Sequence, residues 1–344
     1  MSVPAQRVSD LSEEELLARI VPRLPRGADT LLGPGDDAAV VAAPDGRFVV
    51  TTDVLVEGRH FRRAWSTGAD VGWRAATQNL ADIAAMGARP TSMVVALVLP
   101  DGVAVDWVLD LADGLAQACG PHGVGVVGGD LSGGDNVIVS ITAHGDLGGL
   151  DPVLRSGARD GHVLAHSGVL GHSAAGLALL RGGAAGPRDP AEAAHAVDGA
   201  ERFVRAFLRP DPPLLDGPTA AAAGASAMMD ISDGLLKDAD RLARASGVSL
   251  DLDGRSLGID VDTLDAVAQS CGSEAIDWVL TGGEDHGLLA TFPPERTLPA
   301  GFRRIGTVLM PDGAASVLLD GSPPSVVGSG WDHFGGRGHA GGNE

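Results

Sequence analysis

Apolar positions in this chain come in short runs, each closed by glycine, proline or an acidic residue. Leu16, Leu17 and Ile20 follow Ser12 and Glu15, which predicts a capped amphipathic helix over residues 9–20. A Gly-Pro-Gly turn then leads to two adjacent aspartates, Asp36 and Asp37. An apolar run at 38–43 and another at 47–52 flank Pro44-Asp45-Gly46, which predicts a hairpin. Its second strand delivers Thr51, Thr52 and Asp53. Residues 68–86 carry a helical pattern with Asn79 and Asp82 on one face, near the end where a carboxylate opposes the helix dipole. Met93–Leu99 reads as a strand, 103–119 as a helix, and 124–128 and 137–146 as strands.

This alternation predicts an α/β (α+β) first domain, residues 1–148. A polar, glycine-rich join at 149–162 opens a second α/β domain over 149–334, and residues 335–344 read as a disordered tail. In the second domain a strand at 162–166 precedes GVLGHSAAGLALL. That glycine turn fits either a phosphate-binding loop or tight strand–helix packing. Residues 181–200, rich in Gly, Ala and Pro, read as a flexible excursion, followed by helices near 198–208 and 214–223. A strand ends at Asp230, and Ser232 reads as the N-cap of a helix beginning at Asp233. An apolar strand then leads into Gly282-Gly283-Glu284-Asp285, and strands near 302–308 and 315–319 close the fold.

Composition narrows the partners. A net charge of −20 and 3% aromatic residues, with no tyrosine, argue against nucleic acid and anionic membranes. No run reaches the length needed to span a bilayer, and the acidic first twenty residues predict no signal peptide. Two distant cysteines suit a reduced, cytoplasmic setting. Fifty glycines exceed what ordinary turns need and suggest close backbone approaches to ligands. Lys237 is the sole lysine, and no GxxxxGK[ST] occurs, which excludes a P-loop.

The chemistry lies in the acids. Asp37, Asp53, Asp130, Asp230 and Asp233 follow strands or glycines, and Asp82 sits on a helix. Carboxylates brought together repel one another unless a cation separates them. An all-oxygen set selects a hard ion such as Mg²⁺ over zinc. Several such ions in a glycine-rich site point to a polyphosphate substrate.

Eight motifs in order, GDDAAV, TTDVLVEGRHF, NLADIAAMGA, GGD at 128–130, RSGA at 155–158, GxLGxSAAGLALL, MDISDGL and TGGED, together resemble thiamine-monophosphate kinase. That family belongs with aminoimidazole ribonucleotide synthetase and selenophosphate synthetase. The resemblance spans residues 12–334. It implies phosphorylation of thiamine monophosphate by ATP with several Mg²⁺ ions. It also implies a homodimer that pairs its N-terminal sheets. By motif, Asp37, Thr51, Thr52, Asp53, Asp82, Asp130, Asp230 and Asp233 fall on metal positions. Gly129, Asp130, Arg155 and Ser232 fall on ATP positions. His60, Glu284 and Trp331 fall on thiamine-phosphate positions. The acceptor phosphate is itself ionised, so no general base is required and direct in-line transfer is expected. One departure stands out: His286-Gly287 replaces the aromatic and acidic pair that usually follows GGED, and the His286 ring is expected to pack against an acceptor ring.

Rival readings are weaker. Selenophosphate synthetase needs a reactive cysteine in an N-terminal loop, yet none precedes Cys119. A hydrogenase-maturation dehydratase needs a C-terminal cysteine, whereas this chain ends GGNE. Aminoimidazole ribonucleotide synthetase fits the TTDVLVEGRHF and GGED forms less well. A non-catalytic sensor of thiamine phosphate or nucleotide need not keep every metal aspartate.

Overall fold

The computed structural model describes residues 6–34, 38–182, 186 and 188–325. Asp36, Asp37, Trp331 and the tail beyond 334 lie outside the described residues. The N-terminal half contains α1 (Glu13–Ile20), β1 (Thr30–Leu32), β2 (Val40–Val41), β3 (Val49–Val56), α2 (Gly68–Ala85), β4 (Arg89–Leu99), α3 (Val105–Cys119), β5 (Gly125–Gly133) and β6 (Ile138–Asp146). Ser12 and Glu15 form the expected capping box on α1. Thr67 and Asp70 do the same for α2, satisfying donors that a helix start leaves open.

The expected hairpin does not form. The β2 strand pairs with β1, and β3 pairs antiparallel with β6. Thr51, Thr52 and Asp53 therefore sit within a long strand rather than at a hairpin end. The GGD motif is likewise inside β5, which runs parallel to β4. A Cβ at Gly129 would collide with the Val95 carbonyl, so glycine permits this close pairing.

The four strands are ordered β3-β6-β4-β5. Leu55, Met93, Leu97, Ile141 and Ala143 turn to one face and share a core with Leu80 and Ile83 of α2 and Leu111 and Leu115 of α3. The opposite face has no such cover among the described residues. Phe48, Val50 and Val54 lie there, 59%, 56% and 44% exposed. An open groove of about 650 Å³ runs across it, lined by Phe48, Val94, Ala96 and Asp130.

The C-terminal half contains β7 (Val163–Ser167), α4 (His172–Arg181), α5 (Pro190–Ala194), α6 (Glu201–Leu208), α7 (Asp216–Ala222), β8 (Ala227–Ile231), α8 (Leu235–Ser246), β9 (Ser249–Leu252), α9 (Gly254–Cys271), α10 (Ala275–Thr281), β10 (Gly287–Phe292), β11 (Phe302–Leu309) and β12 (Val317–Leu319). Its sheet is ordered β12-β9-β11-β7-β10-β8, mostly antiparallel, with one parallel pair, β12 on β9. Leu164, Leu179, Phe203, Leu250 and Leu264 anchor the core between this sheet and its helices. Three expectations need correction. The run before Gly282 is helix α10, not a strand. The helix after Asp230 starts at Leu235 with Gly234 as N-cap, so Ser232 caps nothing. Part of the 181–200 excursion is helical, as α5.

Candidate active site

The two halves meet where α2 faces the edge strand β8. Thr51 and Asp53 project from β3 toward α2. Thr51 Oγ1 donates to Asp82 Oδ2 at 2.8 Å. The Asp53 N–H donates to Asn79 Oδ1 at 3.0 Å, and Gln78 Nε2 reaches Asp53 Oδ2 at 3.4 Å. Burial, then the charges of Asp230 and Asp53, push the Asp82 carboxyl up to about 7. Three carboxylates from both halves thus share one neighbourhood and oppose each other's ionisation. They are grouped rather than clenched: among the described residues no three His, Cys, Asp or Glu side chains close to a metal-binding group. The oxygen-only donor set and the mutual repulsion fit a hard divalent cation.

Next to Asp230, residues 282–287 form a strained loop. Glu284 and His286 both hold left-handed backbone, with φ of 70° and 54°. Such conformations cost free energy and persist only where surrounding bonds impose them. Here the Glu284 N–H donates to the Ser232 carbonyl at 2.8 Å and the His286 N–H to the Ile231 carbonyl at 3.1 Å. Asp285 is buried and accepts from the Ser173 N–H at 2.7 Å, at the start of α4. Burial raises this carboxyl to about 7. The N-terminus of α4 is therefore filled by the protein's own carboxylate, and the GVLGHS turn is a packing device rather than a phosphate loop.

His286 does not face an acceptor pocket. It is buried, with Nδ1 3.3 Å from Asp230 Oδ2 and Nε2 3.7 Å from Glu284 Oε2. Burial opposes its charge, but these two carboxylates raise it to about 10. Gly287 follows for a steric reason: a Cβ there would press on the ring of the fully buried His166.

Glu284 also meets Arg74 of α2 at 2.6 Å. Burial would raise the Glu284 carboxyl, yet Arg74 and His286 hold it well below the usual range. The Arg74 guanidinium donates to the Phe207 carbonyl at 3.1 Å and lies 4.8 Å from the Phe207 ring centre. This pair borders a pocket of about 570 Å³ that also contains His60, Trp65, Ser173, Arg181 and Trp278. His60 Nδ1 accepts from the Val56 N–H at 2.9 Å, which aims the ring from the end of β3. Arg62 stacks on Trp65 as Arg74 does on Phe207. Among the described residues no arginine stacks on Trp278, whose ring suits a cationic heterocycle. Sequence reasoning missed Arg74, Trp278 and Arg62. Arg74 lies within the α2 pattern, Trp278 borders the run that reads as a strand, and nothing local to Arg62 marks it.

Other predicted residues lie apart. Asp53, Ile141, Val95 and Gly129 form one transverse row across the sheet. Asp53 and Gly129 are thus three strand spacings apart, about 14 Å. Asp130 falls in the next row and turns to the open face with Val54 and Ala96, where Ser132 Oγ donates to it at 3.0 Å. Thr52 also points to that face, its hydroxyl bonded to the Ile141 carbonyl. Within one chain, then, Thr52 and Asp130 do not join Asp53, Asp82 and Asp230.

Asp233 is held by Lys237 at 3.1 Å and Arg241 at 2.6 Å, beside the buried Asp238. Ser232 is half-buried at the exit of β8. Arg155 sits on an exposed loop whose backbone is gripped by Ser246. Ser246 Oγ donates to the Arg155 carbonyl at 2.9 Å and accepts from the Gly157 and Ala158 N–H groups at 3.2 Å.

Residues 35–147 match the family described as AIR synthase related protein, N-terminal domain. A thiamine-monophosphate kinase of Mycobacterium tuberculosis is 46% identical over 335 residues, covering 97% of this chain and 95% of the relative. The crystal structure of thiamine-monophosphate kinase from Stenotrophomonas maltophilia is similar with a TM-score of 0.74 and 32% identity, over 90% of this chain and 96% of the other. AaThiL complexed with AMPPCP and TMP matches with a TM-score of 0.73 and 32% identity, over 96% of this chain and all of the other.

Proposed function

The chain belongs to the thiamine-monophosphate kinase family, and we propose that it carries out the reaction this name states. It is a thiamine-phosphate kinase: the γ-phosphoryl group of ATP passes to thiamine monophosphate, giving ADP and thiamine diphosphate. The observation that carries the reading is the adjacency of two sites through Glu284. On one side lies the pocket with His60 and Trp278; on the other, across His286, lie Asp230, Asp82 and Asp53.

The acceptor phosphate would enter from the pocket past His60 and Glu284. Arg74 fixes Glu284 in place. Asp53, Asp82 and Asp230 would hold Mg²⁺, with Thr51 orienting Asp82. Bound there, the cation supplies charge neutralisation for two approaching polyanions. Arg155 and Ser232 would contact ATP. No side chain has to remove a proton, and transfer is direct and in line. Retention of configuration at a chiral γ-phosphorus would count against that.

We assign residues 1–148 to nucleotide, metal and dimer contacts and 149–334 to the second domain. A homodimer joined through the open sheet face fits the exposed Phe48, Val50 and Val54. Asp53 and Asp130 lie on the two edge strands, β3 and β5, so a dimer that also set the β5 edge of one copy beside the β3 edge of the other would bring together what a single chain keeps apart. Among the described residues no helix is long and apolar enough to cross a membrane, and Cys119 and Cys271 are free thiols; a cytoplasmic setting goes with this reading. The deciding experiment is a Mg²⁺-dependent coupled ADP assay with thiamine monophosphate. Turnover supports the reading; no turnover with it, but turnover with formylglycinamidine ribonucleotide, overturns it.

A further inference from the structure

The acceptor pocket of this acidic protein is lined by four arginines and one acid. Arg74 is neutralised by the acid, Glu284. Arg59, Arg62 and Arg181 remain, all exposed, and among the described residues none lies within ion-pair distance of a carboxylate. Arg62 is held over the Trp65 ring at 4.7 Å. Arg181 ends α4, the helix whose Ser173 bonds to the Glu284 carbonyl. Eight residues of helix place it about 12 Å along the pocket from that bond. Arg62 and Arg181 line the same pocket, so the two groups face the same space. Leaving like charges unpaired beside a pocket is unfavourable without an anion to receive.

Resting on the kinase reading above, we propose that Arg59, Arg62 and Arg181 form a cationic rim that selects the acceptor by its net charge. Thiamine monophosphate combines a thiazolium with a phosphate of about −1.5 to −2 at neutral pH, so it is a net anion. Its dephosphorylated alcohol is a net cation. A rim of three guanidinium groups attracts the first and repels the second, against a −20 background that would do the reverse. The rim lies away from the reacting atoms, so it acts on capture and discrimination rather than on transfer.

Calorimetric titration of thiamine monophosphate and of thiamine into the full chain, without ATP, tests this at low and high salt. The variants are R181Q and R62Q/R181Q. The double variant is expected to lose about tenfold in affinity for the monophosphate, most of its salt dependence, and none of its affinity for thiamine. R181Q touches no ring, and a twofold to threefold loss confined to the monophosphate keeps the test valid should the double variant unfold. Equal losses for both ligands, or an unchanged salt slope, overturn the rim. Wild-type protein that binds the monophosphate yet never phosphorylates it would sink the kinase reading and leave the rim standing.

Discussion

Arg74 and Glu284 lie 210 positions apart in sequence, and their side chains meet at 2.6 Å, tying helix α2 of the N-terminal half to the strained loop of the C-terminal half. The arginine is 4% exposed and also holds the Phe207 carbonyl. Replacing it leaves a shielded carboxylate without its partner.

R74M is therefore expected to lose about 2–3 kcal/mol of stability, read from denaturant melts. Its KM for thiamine monophosphate should rise more than its KM for ATP. R74K keeps the charge but not the two-pronged reach, and should recover only part of both losses. A melt and KM values like those of wild type would show that the pair does not position Glu284.

The separation of Asp53 and Asp130 by three strand spacings makes a test of shared sites. D53A and D130A should each be inactive while keeping a wild-type circular dichroism spectrum. Mixed after refolding together, they should regain about a quarter of wild-type activity, because half of the dimers are mixed and each has one intact site. No recovery in the mixture would place both aspartates in the same chain's site.

Metal-free stability should fall as pH rises from about 6.5 to 8.5. Asp82 and Asp285 titrate near 7 when folded, against an ordinary value of 3.8. A carboxyl raised on folding stabilises while protonated, and that contribution is lost as pH passes its folded value. Buried His166 and half-buried His172, lowered to about 3 and 4, oppose this fall only near its lower end, where their unfolded forms still carry charge, whereas His286, raised to about 10, adds to it, so the D82N difference isolates the carboxylate's share. Added Mg²⁺ should raise Tm more at pH 8.5 than at 6.5, and D82N should reduce both trends. A Tm that climbs with pH, or a Mg²⁺ increment independent of it, would contradict the carboxylate cluster.

Ser246 makes three hydrogen bonds to the loop bearing Arg155. S246A should cost about 1 kcal/mol in stability and raise the KM for ATP several-fold, leaving the KM for thiamine monophosphate in place. In an R155A background the same change should add nothing. If R155A alone leaves the ATP KM unaltered, Arg155 does not touch the nucleotide. If only S246A is silent, the loop holds its shape without it.

Much of the fold was legible because local signals agreed with tertiary ones. Ser12 with Glu15 marked α1, and the unbroken apolar run at Met93–Leu99 marked β4. Failures arose where pairing is not written locally. Two short apolar runs around Pro44-Asp45-Gly46 look like a hairpin, yet β3 finds its partner nearly ninety residues later in β6. Val279, Leu280 and Thr281 before Gly282 are too short a run to distinguish a strand from a helix end. The carboxylates of Asp53, Asp82 and Asp230 could be singled out because acids among apolar residues are costly to bury. Arg74 and Trp278 could not, since their roles depend on which half of the chain they meet. His286 was read as a ring for the acceptor; its bonds to Asp230 and Glu284 turn it inward instead.

Lys237, 3.1 Å from Asp233, carries the chain's one ε-amino group. Acylating reagents thus have a single side-chain target, besides the α-amino group, and it stands in the first turn of α8 beside Asp233. The same scarcity leaves a lysine-specific endoprotease one bond to cut, between residues 237 and 238. An ordinary amine label becomes a single-position reporter of this turn, with no residue to engineer in or out.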